Sequence, residues 1–259
     1  MAQGLKSFWL ALQFFTRWPT PQFAQVTEQD MGRALAWLPV IGLLIGAGLW
    51  LLSLVQFALP TSVVALLILA FWVWQTGALH IDGVADFADG WLAGCGNQQR
   101  ALEVMKDSRI GTGGGVAIAL LLLAKWVLLV ELLTLDLAVW LLLIPLVARV
   151  ASLVLMVTTS YASQHGMAKS MFRCLNRKWV VFWSLFVVLL LLVLQPGLLL
   201  LGLVWWWVRF VIVRTLGGMN GDTAGMMTEL IELAMMLGLI ALVSLNLTGW
   251  ASLISSLVN

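Results

Sequence analysis

The chain has 259 residues, of which 62% are apolar and only 10% charged. A soluble domain is about 45–50% apolar and about 25% charged, so this sequence lacks the polar side chains to cover a water-facing surface. The excess of apolar residues also excludes intrinsic disorder, and a balance of 14 Lys+Arg against 12 Asp+Glu leaves no basic face for nucleic acid. The composition predicts an all-α, polytopic integral membrane helix bundle. Residues 1–259 read as a single transmembrane domain, since a helical span takes ~20 residues plus its connection.

In chain order, the stretch Phe8 to Phe15 is too short to span, and no small-residue cleavage site follows it. Trp9, Phe14, Phe15 and Trp18 beside Lys6 and Arg17 predict an N-terminal interfacial helix. Pro19-Thr20-Pro21 should stop it, making residues 1–33 an interfacial segment. Apolar runs at 34–59, 63–79, 115–134, 137–158, 179–195, 198–214 and 230–257 then give about seven transmembrane helices. The connectors at 59–62 and 195–197 are uncharged, and the one from Glu131 to Asp136 carries acids without bases. The segments 80–114, 159–178 and 217–229 are longer and polar.

The bases sit on one side of this pattern. Lys6, Arg17 and Arg33 precede the first span; Arg100, Lys106 and Arg109 lie in the first long loop; Lys169, Arg173, Arg177 and Lys178 lie in the next; Arg214 ends the sixth span. The positive-inside rule therefore predicts a cytoplasmic N-terminus, with all three polar loops on the cytoplasmic face. Trp37, Trp179, Trp183 and Trp250 fall at span ends and read as an aromatic belt. Trp205-Trp206-Trp207 lies deeper and can face lipid or protein. Cys95 and Cys174, in separate loops, form neither a zinc spacing nor a disulfide framework, and read as reduced thiols.

The loop after the second span opens with H-x-D-G-x-A-D-x-x-D-G over residues 80–90. Asp82, Asp86 and Asp89 stand at i, i+4 and i+7, so a helix places all three on one face. Three such carboxylates repel unless a positive charge sits among them. Oxygen ligands with no Cys and at most one His favour Mg²⁺ or Mn²⁺ over zinc. Mg²⁺ binds through one or two carboxylates plus substrate phosphates, which points to a phosphorylated substrate. His80 reads equally as a helix-end histidine bonded to a carbonyl and as a ligand or proton carrier.

Further along, Asn97 caps a short helix predicted from Gln98 to Ser108, which opens into the glycine-rich turn Gly111-Thr112-Gly113-Gly114-Gly115. Amide groups of such a turn, Gly111 and Gly114 among them, can cradle phosphate oxygens, with Lys106 and Arg109 supplying positive charge. A third polar patch runs from Arg214 to Gly225. Asp222 and Glu229, i and i+7 on a helix entering the last span, extend the carboxylate set. Within the spans, Lys125, Arg149 and Arg209 each need a partner, because an ionisable group at mid-membrane costs at least ~2.5–3.5 kcal/mol. Arg149 is the one expected to face phosphate; Lys125 and Arg209 are read as structural pairs or snorkelling side chains.

Taken together, the block at His80–Gly90, K-D-S-R-x-G-T-x-G-G at Lys106–Gly115, R-T-L-G-G-x-x-G-D-T at Arg214–Thr223 and F-x-T-R-x-P-x-P at Phe14–Pro21 resemble the cobalamin synthase family. The resemblance covers essentially the whole chain. It implies an adenosylcobinamide-GDP ribazoletransferase activity, in which a hydroxyl of α-ribazole or its 5′-phosphate attacks activated cobinamide and GMP leaves, with Mg²⁺ as cofactor. On this expectation Asp82 and Asp86 hold Mg²⁺, and Asp89 and Asp222 are each a further ligand or the base. His80 joins the catalytic set, and Lys106, Arg109, Arg149 and Arg214 meet phosphates. The site would face the cytoplasm of a prokaryotic inner membrane, where other enzymes of the pathway have loops on which to dock.

Three other classes share part of this pattern. CDP-alcohol phosphotransferases carry an Arg soon after their first Asp-Gly, and a longer stretch before the later acids, which is not the spacing here. Aromatic prenyltransferases have two Asp-rich motifs, against one clear example. A transporter places carboxylates near the midplane on broken helices and often shows an internal repeat, neither of which the sequence suggests.

Overall fold

The computed structural model describes residues 3–162 and 171–245, so Lys169 and Trp250 lie outside the described residues. Helix α1 (Gln3–Phe15) ends four residues before Pro19, and α2 (Glu28–Leu35) follows. The Thr27 hydroxyl accepts from the Asp30 amide at 3.2 Å, and the Asp30 carboxylate accepts from the Thr27 amide at 3.1 Å, a reciprocal cap. Asp30 also takes the Lys6 ammonium at 2.7 Å, which ties α1 to α2. That ammonium and the Thr27 amide hold the Asp30 carboxyl down at about 2.

The bundle proper begins with α3 (Leu38–Ser53), prolonged by a 3-10 turn over Leu54–Phe57, and α4 (Thr61–Thr76). Next come α5 (Leu79–Gly94) and the short α6 (Gln98–Val104). Then follow α7 (Thr112–Thr134), α8 (Ile144–Thr158), α9 (Arg177–Leu194), α10 (Leu201–Leu216) and α11 (Gly221–Ser244). Six of these units are long and apolar enough to cross a membrane, and α4 with α5 makes a seventh as a bent pair. Among the described residues there is no sheet, only an isolated parallel bridge between Tyr161 and Met219. The expected polytopic helical bundle is what the chain forms.

Three boundaries differ from the sequence reading, each for a local reason. The second span ends at Thr76 rather than residue 79, because Gly77 (φ +62°) and Ala78 (φ +59°) are both left-handed and turn α5 through 86°. That conformation costs an alanine about 1–2 kcal/mol. The N-terminal segment braces the bend: the Arg17 amide donates to the Gln75 carbonyl at 2.8 Å, and the Arg17 side chain covers Gly77. The polar stretch 80–114 is therefore largely helical. Asn97 caps α6 as expected, but that helix stops at Val104 instead of reaching Ser108. The last span starts at Gly221, not near residue 230, because Asn220 and Thr223 form a capping box. Residues 221–229, expected in a loop, are its first turns.

Helix α11 packs against α5, α7 and α8, while α9 and α10 sit outside and expose Leu185, Leu189, Leu203, Trp206 and Trp207. Trp205 faces inward instead, donating to the Ala151 carbonyl at 2.9 Å. Where α5 crosses the start of α11 the backbones nearly touch. A Cβ at Gly83 would overlap the Asp222 carbonyl, and one at Gly225 would sit 3.0 Å from the His80 Cα. Small residues permit such crossings. Gly83→Ala should therefore cost about 1–3 kcal/mol of stability through overpacking. Gly115→Ala, where a Cβ meets nothing within 4 Å, should cost nothing. Thermal midpoints of the two purified variants in detergent check the contrast.

Candidate active site

The α5–α11 crossing assembles the carboxylates. Asp82, Asp86 and Asp89 follow one another along α5, and Asp222 lies in the first turn of α11, directly against Gly83. Asp82 is exposed, while Asp86, Asp89 and Asp222 are half-buried. Among the described residues no Lys or Arg pairs with Asp82, Asp86 or Asp222. Asn220 is the neutral partner of Asp222, donating from its side-chain amide at 3.0 Å.

Asp89 has a different surrounding. Its carboxylate accepts the Gly111 amide at 2.7 Å and the Gly114 amide at 2.8 Å, so it caps the N-terminus of α7. A carboxylate there satisfies unpaired helix amides and the positive end of the helix dipole. The two amides expected to cradle phosphate thus already hold an aspartate. The cradle also explains the glycines: a Cβ at either Gly111 or Gly114 would lie 2.5 Å from an Asp89 oxygen.

The basic residues divide into two groups. Lys106, Arg109 and Arg214 are exposed. Arg109 makes a two-pronged pair with Asp107 at 3.1 and 2.7 Å. Arg214 stands at the rim of a groove of about 600 Å³ between α5, α6, α10 and α11, walled by Phe87, Trp91 and Trp207. Arg149, by contrast, is 2% exposed and donates to Glu232 at 2.6 Å and to the Pro145 carbonyl at 3.1 Å. The expectation that it faces phosphate gives way to a buried ion quartet. Lys125 completes it, 2.6 Å from Glu232 and 2.5 Å from Glu229, with the Trp72 ring centroid 4.3 Å from its ammonium. Glu229, expected beside Asp222, belongs to this quartet. Arg209 is structural as read, bonding Thr159 and the Thr158 carbonyl at the end of α8.

His80 is 7% exposed, and its Nδ1 has no hydrogen-bond partner. The helix-end carbonyl considered from the sequence is not there. Such an orphaned polar atom costs about 1–3 kcal/mol unless a ligand or water meets it. Two residues near the carboxylates went unnoticed in the sequence. Tyr161 is brought beside Met219 by the bridge, and burial and the Asp222 charge raise its phenol. Asn220 caps α11 and orients Asp222. The available signals were that Tyr161 is the only tyrosine in the chain and that N-x-x-T is a capping pattern.

For a divalent cation the donor chemistry fits: hard oxygens, with no Lys or Arg of the described residues paired to Asp82, Asp86 or Asp222. Among the described residues, no three His, Cys, Asp or Glu side chains converge to hold a metal by themselves.

This combination defines a polytopic membrane protein with a carboxylate-rich site at one end of its bundle. The chain belongs to the cobalamin-5-phosphate synthase family, whose model matches residues 7–240. It is 43% identical over 244 residues to the adenosylcobinamide-GDP ribazoletransferase of Pseudomonas entomophila strain L48, covering 91% of this chain and 99% of the relative. Similar enzymes of Pseudomonas fluorescens strain Pf0-1 and Stutzerimonas stutzeri strain A1501 are 39% and 40% identical. Those alignments each cover 89% of this chain, with 97% and 96% of the respective relative. No solved structure matches the chain.

The quartet's energetics are testable. Glu232→Gln leaves Arg149 without its carboxylate partner and should destabilise the protein by about 3–5 kcal/mol. Arg209→Gln, at a half-exposed neutral contact, should cost under about 1.5 kcal/mol. Equal losses in a denaturant titration of the two variants in detergent would contradict the buried-pair account.

Proposed function

We propose that the chain is an adenosylcobinamide-GDP ribazoletransferase of the prokaryotic cytoplasmic membrane, with its site on the cytoplasmic side. The membrane-embedded fold, the family and the names of its relatives support the activity. The gathering of Arg17, Arg33, Arg100, Lys106, Arg109, Arg173, Arg177 and Arg214 near span ends supports the orientation. The observation that carries the chemistry is the uncompensated set Asp82, Asp86 and Asp222 where α5 crosses α11.

In this reaction the 3′-hydroxyl of α-ribazole, or of its 5′-phosphate, attacks the cobinamide-linked phosphorus of adenosylcobinamide-GDP. One P–O bond forms, the P–O bond to GMP breaks, and the hydroxyl proton passes to a base. Asp82 and Asp86 would hold Mg²⁺. When bound, Mg²⁺ neutralises charge on the pyrophosphate oxygens and orients them for in-line attack. Asp222 is the better placed of the two candidate bases, because Asp89 already accepts two amides. Asp89 then acts as a positioning residue, fixing the glycine turn beside the carboxylates. Lys106 and Arg214 would supply positive charge to the phosphates, and Arg109 would do so from its pair with Asp107.

Asp82→Asn and Asp86→Asn should each lower Mg²⁺-dependent GMP release at least about 100-fold, in the range of lost electrostatic catalysis, while the protein still inserts into membranes. Near-normal turnover of either purified variant contradicts the assignment.

A further inference from the structure

Asp222 lines a cavity of about 210 Å³ bounded by the end of α1, the α2–α3 junction, α5, α8, α11 and residues 171–172. Phe15, Met156 and Phe172 form apolar and aromatic walls, and Asp222 and Gly221 line it together with His80. The other polar groups of the lining are already paired. The Ser152 and Thr228 hydroxyls lie 2.6 Å apart and 2.8 and 3.1 Å from the Ala224 carbonyl, so their two protons are taken up between that carbonyl and each other. His80 Nδ1 is the exception: the ring is 7% exposed, and this atom has no partner. The cavity is smaller than the 300–1,000 Å³ pockets that enclose a drug-sized ligand. It suits one flat ring system, not a whole nucleotide and still less a corrinoid.

Resting on the ribazoletransferase reading, we infer that this cavity receives the aromatic base of the acceptor, with His80 Nδ1 bonding the base's unsubstituted ring nitrogen. The aromatic walls sandwich the fused rings, and the imidazole supplies the one directional contact. A base held there carries its ribose at the mouth, beside Asp222, which is where the attacking hydroxyl meets its proton acceptor. His80 is thus a binding residue that selects a heteroaromatic acceptor, distinct from the carboxylates that act on the phosphates.

The test uses the full-length protein in phospholipid vesicles, with saturating adenosylcobinamide-GDP and GMP release as readout. Two acceptors are compared: α-ribazole, and an analogue in which the unsubstituted ring nitrogen is replaced by C–H. For the wild type, the analogue's KM should be about tenfold higher, the worth of one hydrogen bond, with kcat little changed. In His80→Phe the two acceptors should have equal KM. A tenfold preference that survives in His80→Phe, or no preference in the wild type, overturns the inference. Should His80→Phe fail to fold, Met156→Trp, which fills the cavity, should raise KM for α-ribazole at least tenfold without changing KM for adenosylcobinamide-GDP. An unaltered α-ribazole KM in Met156→Trp also overturns it. Absence of GMP release by the wild type with either acceptor instead defeats the ribazoletransferase reading itself, and the inference with it.

Discussion

Two cations and two carboxylates buried among apolar helices have to neutralise one another, and that requirement fixes α11 within the bundle. Lys125 comes from α7, Arg149 from α8, and Glu229 and Glu232 from α11, all at most 5% exposed. A single unpaired member would cost several kcal/mol in this environment. The quartet therefore sets both the depth and the rotation of α11. Ten residues before Glu232, about 15 Å up the helix, stands Asp222. Its place at the site follows from the pairing below.

The second constraint is contact distance. α5 leaves α4 at a sharp bend and crosses α11 with Gly83 against the Asp222 backbone. Only at that separation do carboxylates on two helices come together at one site, Asp222 against the stretch of α5 that carries Asp82 and Asp86. Asp89, one turn beyond Asp86, reaches the other way and pins the start of α7 through Gly111 and Gly114. One helix thus presents charge to the site and anchors its neighbour, which accounts for three aspartates on one face without giving all three the same task.

Much of this was legible in the sequence. Apolar runs located the spans, and the i, i+4, i+7 spacing put Asp82, Asp86 and Asp89 on one helical face. Pairing was not legible. Lys125 and Arg149 announced that they needed partners, but Glu229 and Glu232 are far away in sequence and sit in a segment whose first turns looked like loop. The glycine turn was ambiguous for a related reason: its amides suit any anion, and spacing cannot distinguish a phosphate from the carboxylate of Asp89. The unpaired Nδ1 of His80 likewise appears only once every neighbouring donor and acceptor has been assigned.

The central claim is this division of labour, with Asp82 and Asp86 toward a metal and Asp89 toward the backbone of α7. The most direct measurement replaces Asp86, and separately Asp89, by cysteine, and assays GMP release with Mg²⁺ and then with thiophilic Cd²⁺. A thiolate ligand favours a soft ion over a hard one. Asp86→Cys should lose activity with Mg²⁺ and recover it at least in part with Cd²⁺, whereas Asp89→Cys should gain nothing from the exchange. Rescue at Asp89 and none at Asp86, in variants that insert and fold, would contradict the account.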